Sequence, residues 1–556
     1  MNFIKKYHAP LFFLLWLLVN LIQAGTTELF DDEAYYWIYS QYPAWGYFDH
    51  PPMIAWLIKA GYSIFPNELG VRFFIVLMNT ATLYFIRELI EKKNDFLFYA
   101  IASSIAVAQI GGIIAVPDIP LLFFVSLFFW LYRKFITNST IGLSVILGIS
   151  IALMLYSKYH GILIVIFTLA SNPKLFSKYQ TYLAAVVAIL LFAPHLYWQY
   201  THDFPSVQFH LFERSAAQYR FSFTFEYLLG QIALAGPLIG WLFIWAAYKQ
   251  TPASLTEKAM KFSLAGVYLV FLVSTLKGRV EANWTVPAYV GLIVLSHQYL
   301  FNKPSLIKWV YRLAPVTLLI VFFARIYMML DIPVSGKVSK DEFHENKIVS
   351  AVIKQHANGL PVVFINSYQK PSKYWFYSKQ KAFSLNTPGY RRNNYNYWPL
   401  EDSIIGKPVY MVSAKSEIFA DSLPGYQFRG NAGAYIEKYF SFSKLQITAI
   451  RKEIISKESL QFTCLIQSPS SYLSFFQQTP YDTSSVIIAI FDKKGDIAGY
   501  LPSKFILSQI KESETLATII CHHQLKQGKY TAKMAISTCI TGFPSLNSSS
   551  FTFEVE

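Results

Sequence analysis

Charged residues are scarce in this chain. Only 15% of its 556 residues carry a charge and 54% are hydrophobic, whereas a typical soluble domain is about 25% charged. Acids are fewer than bases, 33 against 48, which gives a net charge of +15. The positive residues occur in short clusters between apolar runs, not on a basic face with interleaved aromatics. This pattern indicates a membrane protein and gives no sign of a nucleic-acid partner.

Cysteine is also nearly absent. The three thiols, Cys464, Cys521 and Cys539, all lie late in the chain, and no CxxC or CxxxH motif suggests a cysteine-ligated zinc. Two alternatives remain open for them. Either two form a disulfide outside the cytoplasm and one stays free, or all three are buried thiols.

Apolar stretches near the roughly 20 residues that cross a bilayer recur up to about residue 330. They predict about eleven transmembrane helices, at 8–25, 69–89, 96–115, 118–133, 140–156, 160–172, 180–197, 227–247, 262–276, 284–299 and 308–329. The fifth and sixth are short and meet at "YSKYHG" (156–161), so a broken pair is the alternative there. The first also fits a cleaved signal peptide, although an uncleaved helix is the simpler interpretation.

The basic clusters between these spans predict the topology. Positive loops stay in the cytoplasm, which places the N-terminus inside and, after eleven crossings, the rest of the chain outside. Beyond a transmembrane domain (1–330), the composition turns polar. A buried strand followed by an aromatic-rich helix predicts an α/β domain (331–440), and short alternating strands predict a β-sandwich (441–556).

The segment "LFDDEAYYWIYSQYPAWGYFDHPPMIAWL" (29–57) carries the most chemistry. Three consecutive acids (31–33) follow the first span, and Asp49, His50 and Pro51 come shortly after. Acids at a membrane boundary are costly unless they are used, paired or solvated. One of the first two acids could cap the following helix, but capping leaves the other acids without a role. We therefore expect a functional site on the outer face.

This segment, followed by "GVRFFIVLMNT" (70–80) and "VPDIPLLFFVSLFFWLY" (116–132), resembles the GT-C membrane glycosyltransferases. That family includes the protein O-mannosyltransferases and the lipid A aminoarabinose transferase. The likeness covers about the first 300 residues. It implies an inverting glycosyltransferase of the plasma membrane with its C-terminal region outside the cytoplasm. The expected partners are a polyprenyl-phosphate sugar donor, a lipid, glycan or protein acceptor, and membrane lipids.

The resemblance also assigns roles. Asp32 matches the family's catalytic acid, with Asp31 and Glu33 as rivals, and a carboxylate there would deprotonate the acceptor hydroxyl. Asp118 matches a second acid of the family that orients substrate, its alternative being a helix cap. Donor phosphate contacts are expected from Lys158, Arg72 and Arg279, and substrate contacts from Tyr35, Asp49, His50, Pro51 and Glu281. The alternative for Lys158 is a lysine that snorkels to the interface. Glu281 could simply pair with a neighbouring cation.

Some relatives hold a divalent metal at positions that match Asp49 and His210, and zinc accepts such ligands. The "DHPP" turn departs from the aminoarabinose transferase pattern, so a hydrogen-bonding histidine is the alternative. No other cofactor is expected. Two functions from other classes also remain. A lipid or glycan transporter would place charges near the midplane, often in two related halves, and a non-catalytic glycan-binding protein would not need the acids.

Overall fold

The structure is a computed structural model that describes residues 2–210, 219–330, 342–414, 418–423, 431–456, 459–492 and 495–555. The chain forms two compact units, Met1–His344 and Glu345–Glu556. The first is helical and the second contains both helices and strands. The proposed limits of the transmembrane domain at residue 330 and of the sandwich at residue 441 stay predictions.

The helical unit follows the apolar pattern of the sequence. Its helices are α1 (Asn2–Thr26), α2 (Asp31–Gln41), α3 (Met53–Ile64), α4 (Glu68–Leu89), α5 (Asp95–Ser104), α6 (Ala106–Gln109), α7 (Asp118–Thr137), α8 (Ile141–Ser157), α9 (Gly161–Ser171), α10 (Tyr179–Thr201), α11 (Pro205–Gln208), α12 (Phe221–Ala235), α13 (Gly240–Lys249), α14 (Leu255–Ser274), α15 (Tyr289–Phe301) and α16 (Pro304–Met329). Every predicted span falls on one of these helices or on two consecutive helical segments. The short helices α8 and α9 meet around Lys158, where the sequence left a broken pair open.

In the described part of the chain, five helices are long and apolar enough to cross a membrane alone: α1, α4, α7, α10 and α16. Counting each bent pair as one span raises the number to seven. The sequence predicts single spans at 96–115 and 227–247, but the structure bends them by 79° and 92°. Gly236 (φ 140°), followed by Pro237, ends α12. At the other bend, the Ser104 hydroxyl donates to the Ala100 carbonyl at 2.7 Å, a local bond that favours helix bending.

Exposed tyrosines mark both ends of α10. Tyr179 and Tyr182 are 64% and 54% exposed at its start, and Tyr197 and Tyr200 are 69% and 68% exposed near its end. Tyrosine concentrates at membrane interfaces, and the 22 residues from Tyr179 to Tyr200 span about 30 Å of helix, the thickness of a hydrocarbon core. The helix therefore has the dimensions and the aromatic ends of a membrane span.

The second unit begins with a mixed sheet of order β2-β1-β3-β5-β4. Strand β1 (Val362–Ile365) runs parallel to β2 (Ala382–Leu385) and β3 (Val409–Ala414), whereas β5 (Asn431–Ile436) lies antiparallel to β3 and β4 (Asp421–Ser422). Helices α17 (Asn346–Ala357) and α18 (Gln369–Ser378) accompany it. Ile353 and Phe364 lie together in its small apolar core. The predicted α/β arrangement is confirmed.

The remaining strands are antiparallel. One half consists of β6 (Gln446–Ser456), β7 (Ser459–Gln467) and β10 (Glu514–His522), and the other of β8 (Ser485–Phe491), β9 (Ile497–Ile506), β11 (Gly528–Ile536), β12 (Ser545–Leu546) and β13 (Phe551–Val555). Strands β9 and β10 pair at Ser503 and Cys521, so both halves belong to one eight-stranded sheet. A short helix, α19 (Ser470–Leu473), follows β7. Alternate residues of both halves, Phe462 and Met534 among them, fill one core. This confirms the predicted sandwich, since alternation directs every second side chain inward.

The three thiols are unpaired. Cys464 and Cys521 are buried in the core of the sandwich and Cys539 is half-buried. Of the two alternatives left open by the sequence, the structure therefore has free thiols. Burial raises the pKa of Cys464 and of Cys521 to about 12, so both are inert at neutral pH.

Candidate functional site

Glu33 is the most enclosed of the three acids. It is fully buried in the first turn of α2, where the Phe30 amide donates to Oε2 at 2.9 Å and the Ala115 amide donates to Oε1 at 2.7 Å. Arg72, from α4, donates to Oε1 through Nε at 2.7 Å and to Oε2 through Nη2 at 2.5 Å. Glu33, three residues beyond Phe30, thus caps the start of α2.

Arg72 uses every N–H that it has. Besides the two bonds to Glu33, its Nη1 donates to the carbonyls of Ala24 (3.0 Å) and Thr27 (2.7 Å), and its Nη2 donates to that of Glu28 (2.9 Å). A guanidinium has five N–H donors, and none is left over for a phosphate. The geometry gives Arg72 a structural role, joining the end of α1 to the start of α2. The phosphate contact expected of Arg72 stays a prediction.

Asp31 and Asp32 differ from their neighbour in exposure. Both lie half-buried in the first turn of α2, where the partial positive charge of the helix end stabilises carboxylates. Asp32 thus retains access to solvent while the adjacent Glu33 has none. The predicted catalytic role of Asp32 stays a prediction.

Asp118 lies at the first residue of α7, almost wholly buried. Its Oδ1 accepts from Lys158 Nζ at 2.8 Å and its Oδ2 accepts from Asn283 Nδ2 at 3.0 Å. Lys158 is itself 5% exposed, in the turn between α8 and α9. A buried ion pair is costly unless its partners are held in good geometry, and three separate chain segments converge to hold this one. The pair confirms neither the phosphate role of Lys158 nor the orienting role of Asp118, but it brings the two predicted residues into contact.

Two contacts bring the first loop close to this pair. The Ala115 amide that binds Glu33 is only three residues before Asp118, so the start of α2 lies against the turn that leads into α7. Lys158 is followed directly by Tyr159, whose hydroxyl bonds to His195 of α10, and His195 in turn contacts the Trp45 carbonyl of the loop. The start of α2, the Pro-Asp turn and the lysine are therefore linked through adjacent chain segments.

The Asp49–His50 turn lies beside the aromatic face of α2. Tyr39 donates to Asp49 Oδ2 at 3.4 Å, and the His50 ring packs edge-on against Tyr36 with centroids 5.6 Å apart. Tyr35 and Pro51 are buried nearby in the loop and α2. His210 Nε2 lies 3.2 Å from the backbone carbonyl of Asp49, which makes it a hydrogen-bond donor to that oxygen.

Asp49 and His210 are the two residues expected to hold a metal. Within the described ranges, no group of three or more His, Cys, Asp or Glu side chains is arranged to hold a metal. His210 Nε2 contacts the main-chain carbonyl of Asp49. The described residues therefore supply no three-ligand metal site. The pair Asp49 and His210 stays a prediction.

The last predicted phosphate contact, Arg279, is exposed. Its side chain is 65% accessible, and its Nε lies 3.4 Å from Glu226 Oε2. Such surface pairs contribute little to stability, so Arg279 is available to a ligand. Glu281 lies half-buried two residues later. The segment after this turn also supplies Asn283, which donates to Asp118 and was not among the residues predicted from the sequence. The feature that could have indicated it is an amide side chain directly after the charged turn.

Comparison with known proteins places this architecture. A family profile described as dolichyl-phosphate-mannose-protein mannosyltransferase matches residues 49–198. The crystal structure of ArnT from Cupriavidus metallidurans in the apo state superposes with a TM-score of 0.57, covering 78% of this chain and 98% of that one at 13% identity. The chain has a GT-C fold. The resemblance inferred from its first loop is thereby confirmed.

Two further matches extend the GT-C comparison. ArnT bound to undecaprenyl phosphate superposes with a TM-score of 0.56 at 13% identity, covering 77% of this chain and 97% of that one. The lipid A galacturonosyltransferase RgtD from Rhizobium johnstonii is 25% identical over 310 residues, which is 52% of this chain and 64% of that protein. An uncharacterized protein of Aquifex aeolicus is 27% identical over 277 residues, 46% of this chain and 54% of that protein. The chain thus spans less than two thirds of these curated relatives.

Proposed function

We propose that this protein is a glycosyltransferase that moves a sugar from a polyprenyl-phosphate carrier to a lipid, glycan or protein acceptor. Transfer takes place on the extracytoplasmic side of the plasma membrane, where the C-terminal unit also lies. The observation that carries this proposal is the buried contact of Lys158 with Asp118, adjoining the acid-bearing first turn of α2. Support comes from the GT-C fold and from the galacturonosyltransferase and mannosyltransferase matches.

The proposed reaction is a single displacement. The acceptor hydroxyl attacks the anomeric carbon as the bond from that carbon to the phosphate oxygen breaks, which inverts the configuration. Asp32 takes the hydroxyl proton, and the polyprenyl phosphate leaves with the bonding electron pair. The charge that grows on the leaving oxygen needs a cation nearby. Tyr35, Asp49, His50, Pro51 and Glu281 would form the surrounding substrate pocket.

Lys158 supplies that cation. Its ammonium has three N–H donors, and within the described chain it spends one on Asp118. Two donors stay available for phosphate oxygens. Asp118 then acts as a positioning residue that keeps the ammonium oriented, itself fixed by Asn283. Arg279, at the exposed turn before Asn283, is the second phosphate contact.

The test uses purified full-length protein in lipid nanodiscs with a panel of undecaprenyl-phosphate sugars, including hexose, pentose and uronic acid forms. Release of undecaprenyl phosphate is measured in the presence of an envelope extract as acceptor source. We expect release with one donor class and a loss of about 10²-fold or more in Asp32→Asn. The matched control is Asp203→Asn. Asp203 is an exposed acid with a left-handed backbone conformation, and asparagine tolerates that conformation as well. No release with any donor from folded protein would refute the transferase function.

A further inference from the structure

A second polar network lies beneath the first loop and serves none of the roles described above. It joins three parts of the chain: the loop backbone at residues 45–48, Tyr159 in the turn after Lys158, and the α10–α11 region through His195, Gln199 and Ser206. His195, Gln199 and Ser206 are at most 3% exposed. Polar groups are costly to bury, and apolar residues would pack here without that cost. The network therefore requires a specific explanation.

The directions of its hydrogen bonds follow from chemistry alone. His195 Nδ1 lies 2.7 Å from the Trp45 carbonyl, and a carbonyl only accepts, so Nδ1 carries the hydrogen. In a neutral ring Nε2 is then an acceptor, and Tyr159 donates its hydroxyl hydrogen to it at 2.9 Å. The Tyr159 oxygen in turn accepts from Gln199 Nε2 at 3.0 Å. Each hydrogen has one assignment.

The other branch reaches the acid turn. Gln199 Nε2 donates its second hydrogen to Ser206 Oγ at 2.9 Å. Ser206 Oγ lies 2.8 Å from the carbonyl of Phe48 and 3.1 Å from that of Tyr47, so its hydroxyl donates to the backbone directly before Asp49. One amide group, on Gln199, thus links the turn that carries Lys158 to the turn that carries Asp49 and His50.

The loop is also pressed against α10 without spare room. A Cβ atom on Gly46 would lie 2.4 Å from Trp198 Cε3 and 2.9 Å from His195 Nδ1. Only glycine permits this close approach. The network and the contact together fix the loop backbone at residues 45–48, so the position of the next two residues follows from them.

We propose that Gln199, Tyr159 and Ser206 are positioning residues that hold the Asp49–His50 turn at a fixed separation from Lys158. This inference rests on the proposed transferase function, in which the lysine meets the donor phosphate and the turn borders the substrate pocket. Small displacements between reacting groups lower turnover strongly, by about 10²-fold for 1 Å. The network therefore sets turnover, not merely stability.

The variants are Ser206→Ala and Tyr159→Phe, their double variant, and Ser206→Thr, which keeps the hydroxyl. The matched control is His297→Asn. His297 is likewise fully buried and faces a backbone carbonyl, that of Asn94, at 3.0 Å, but it lies outside this network. Two properties are measured for each in nanodiscs: amide hydrogen exchange at residues 44–50 and 159–161, and kcat and KM with the active undecaprenyl-phosphate sugar.

The proposal expects faster exchange in both segments of Ser206→Ala and a kcat about 10-fold lower with nearly unchanged KM. Ser206→Thr should restore both properties, and the double variant should be no worse than the poorer single one, because both act on one chain of bonds. Unchanged exchange in Ser206→Ala would overturn the coupling, and faster exchange with wild-type kcat would overturn the positioning role. A wild type inactive with every donor would instead refute the transferase function, and the exchange result would still decide the coupling.

Discussion

Substitution of Arg72 tests whether this side chain stabilises the fold or binds the donor phosphate. The resemblance predicts a phosphate contact, whereas the structure spends all five of its N–H groups on Glu33 and on three backbone carbonyls. Lysine keeps the charge but has three donors and no planar fork. Arg72→Lys therefore loses at least two hydrogen bonds of a buried charged group, which are worth about 1.5–3 kcal/mol each.

We expect Arg72→Lys to lower the free energy of unfolding by about 3–6 kcal/mol on this count. Arg72→Met, which leaves the Glu33 carboxylate buried without its cation, should lose about 3–5 kcal/mol. The assay is reversible unfolding in mixed micelles, titrated with SDS and followed by tryptophan fluorescence. Arg279→Lys is the control, because that exposed side chain should change stability by less than about 0.5 kcal/mol.

One result would refute the structural role of Arg72. If Arg72→Lys unfolds like the wild type but loses donor turnover, then the side chain acts on the ligand and the structural reasoning is refuted. If both properties fall together and Glu33→Gln reproduces the loss of stability, the pair acts as the structural joint that the geometry indicates.

Three other outcomes are expected. Lys158→Met should lower kcat by about 10²-fold, and Asp118→Asn, which removes the orienting charge, should lower it less; the undecaprenyl phosphate release assay checks both. Gly46→Ala should destabilise the protein by about 1–3 kcal/mol through overpacking, measured by SDS titration, and a neutral result would contradict the close contact. Cys464 and Cys521 should resist maleimide at pH 8 in the folded protein and react on denaturation, which mass spectrometry counts. Because burial raises their folded pKa to about 12, their contribution to stability is complete below about pH 8.5 and is lost as pH rises toward 12.

Several parts of the fold were within reach of the sequence because they depend on local patterns. Apolar runs located the helices of the first unit, and alternation located the strands of the sandwich. Two predicted single spans are bent in the structure. For one of them the sequence "AGPLIG" (235–240) already contained the glycine and proline that end α12. Hydropathy averages over a window and does not register such a break.

The candidate site divides in the same way. The sequence by itself determined that acids, an aromatic face and a lysine would gather near one boundary of the membrane region, since composition and spacing carry that information. Only the tertiary structure decided which groups are already engaged. Glu33 and Asp32 are neighbours in sequence, yet one is enclosed by Arg72 and the other is half-exposed. Asn283 and Ser206 reach the site from 165 and 158 residues away from their partners Asp118 and Phe48. Such pairings arise when distant segments close on one another, and no local pattern encodes the partner.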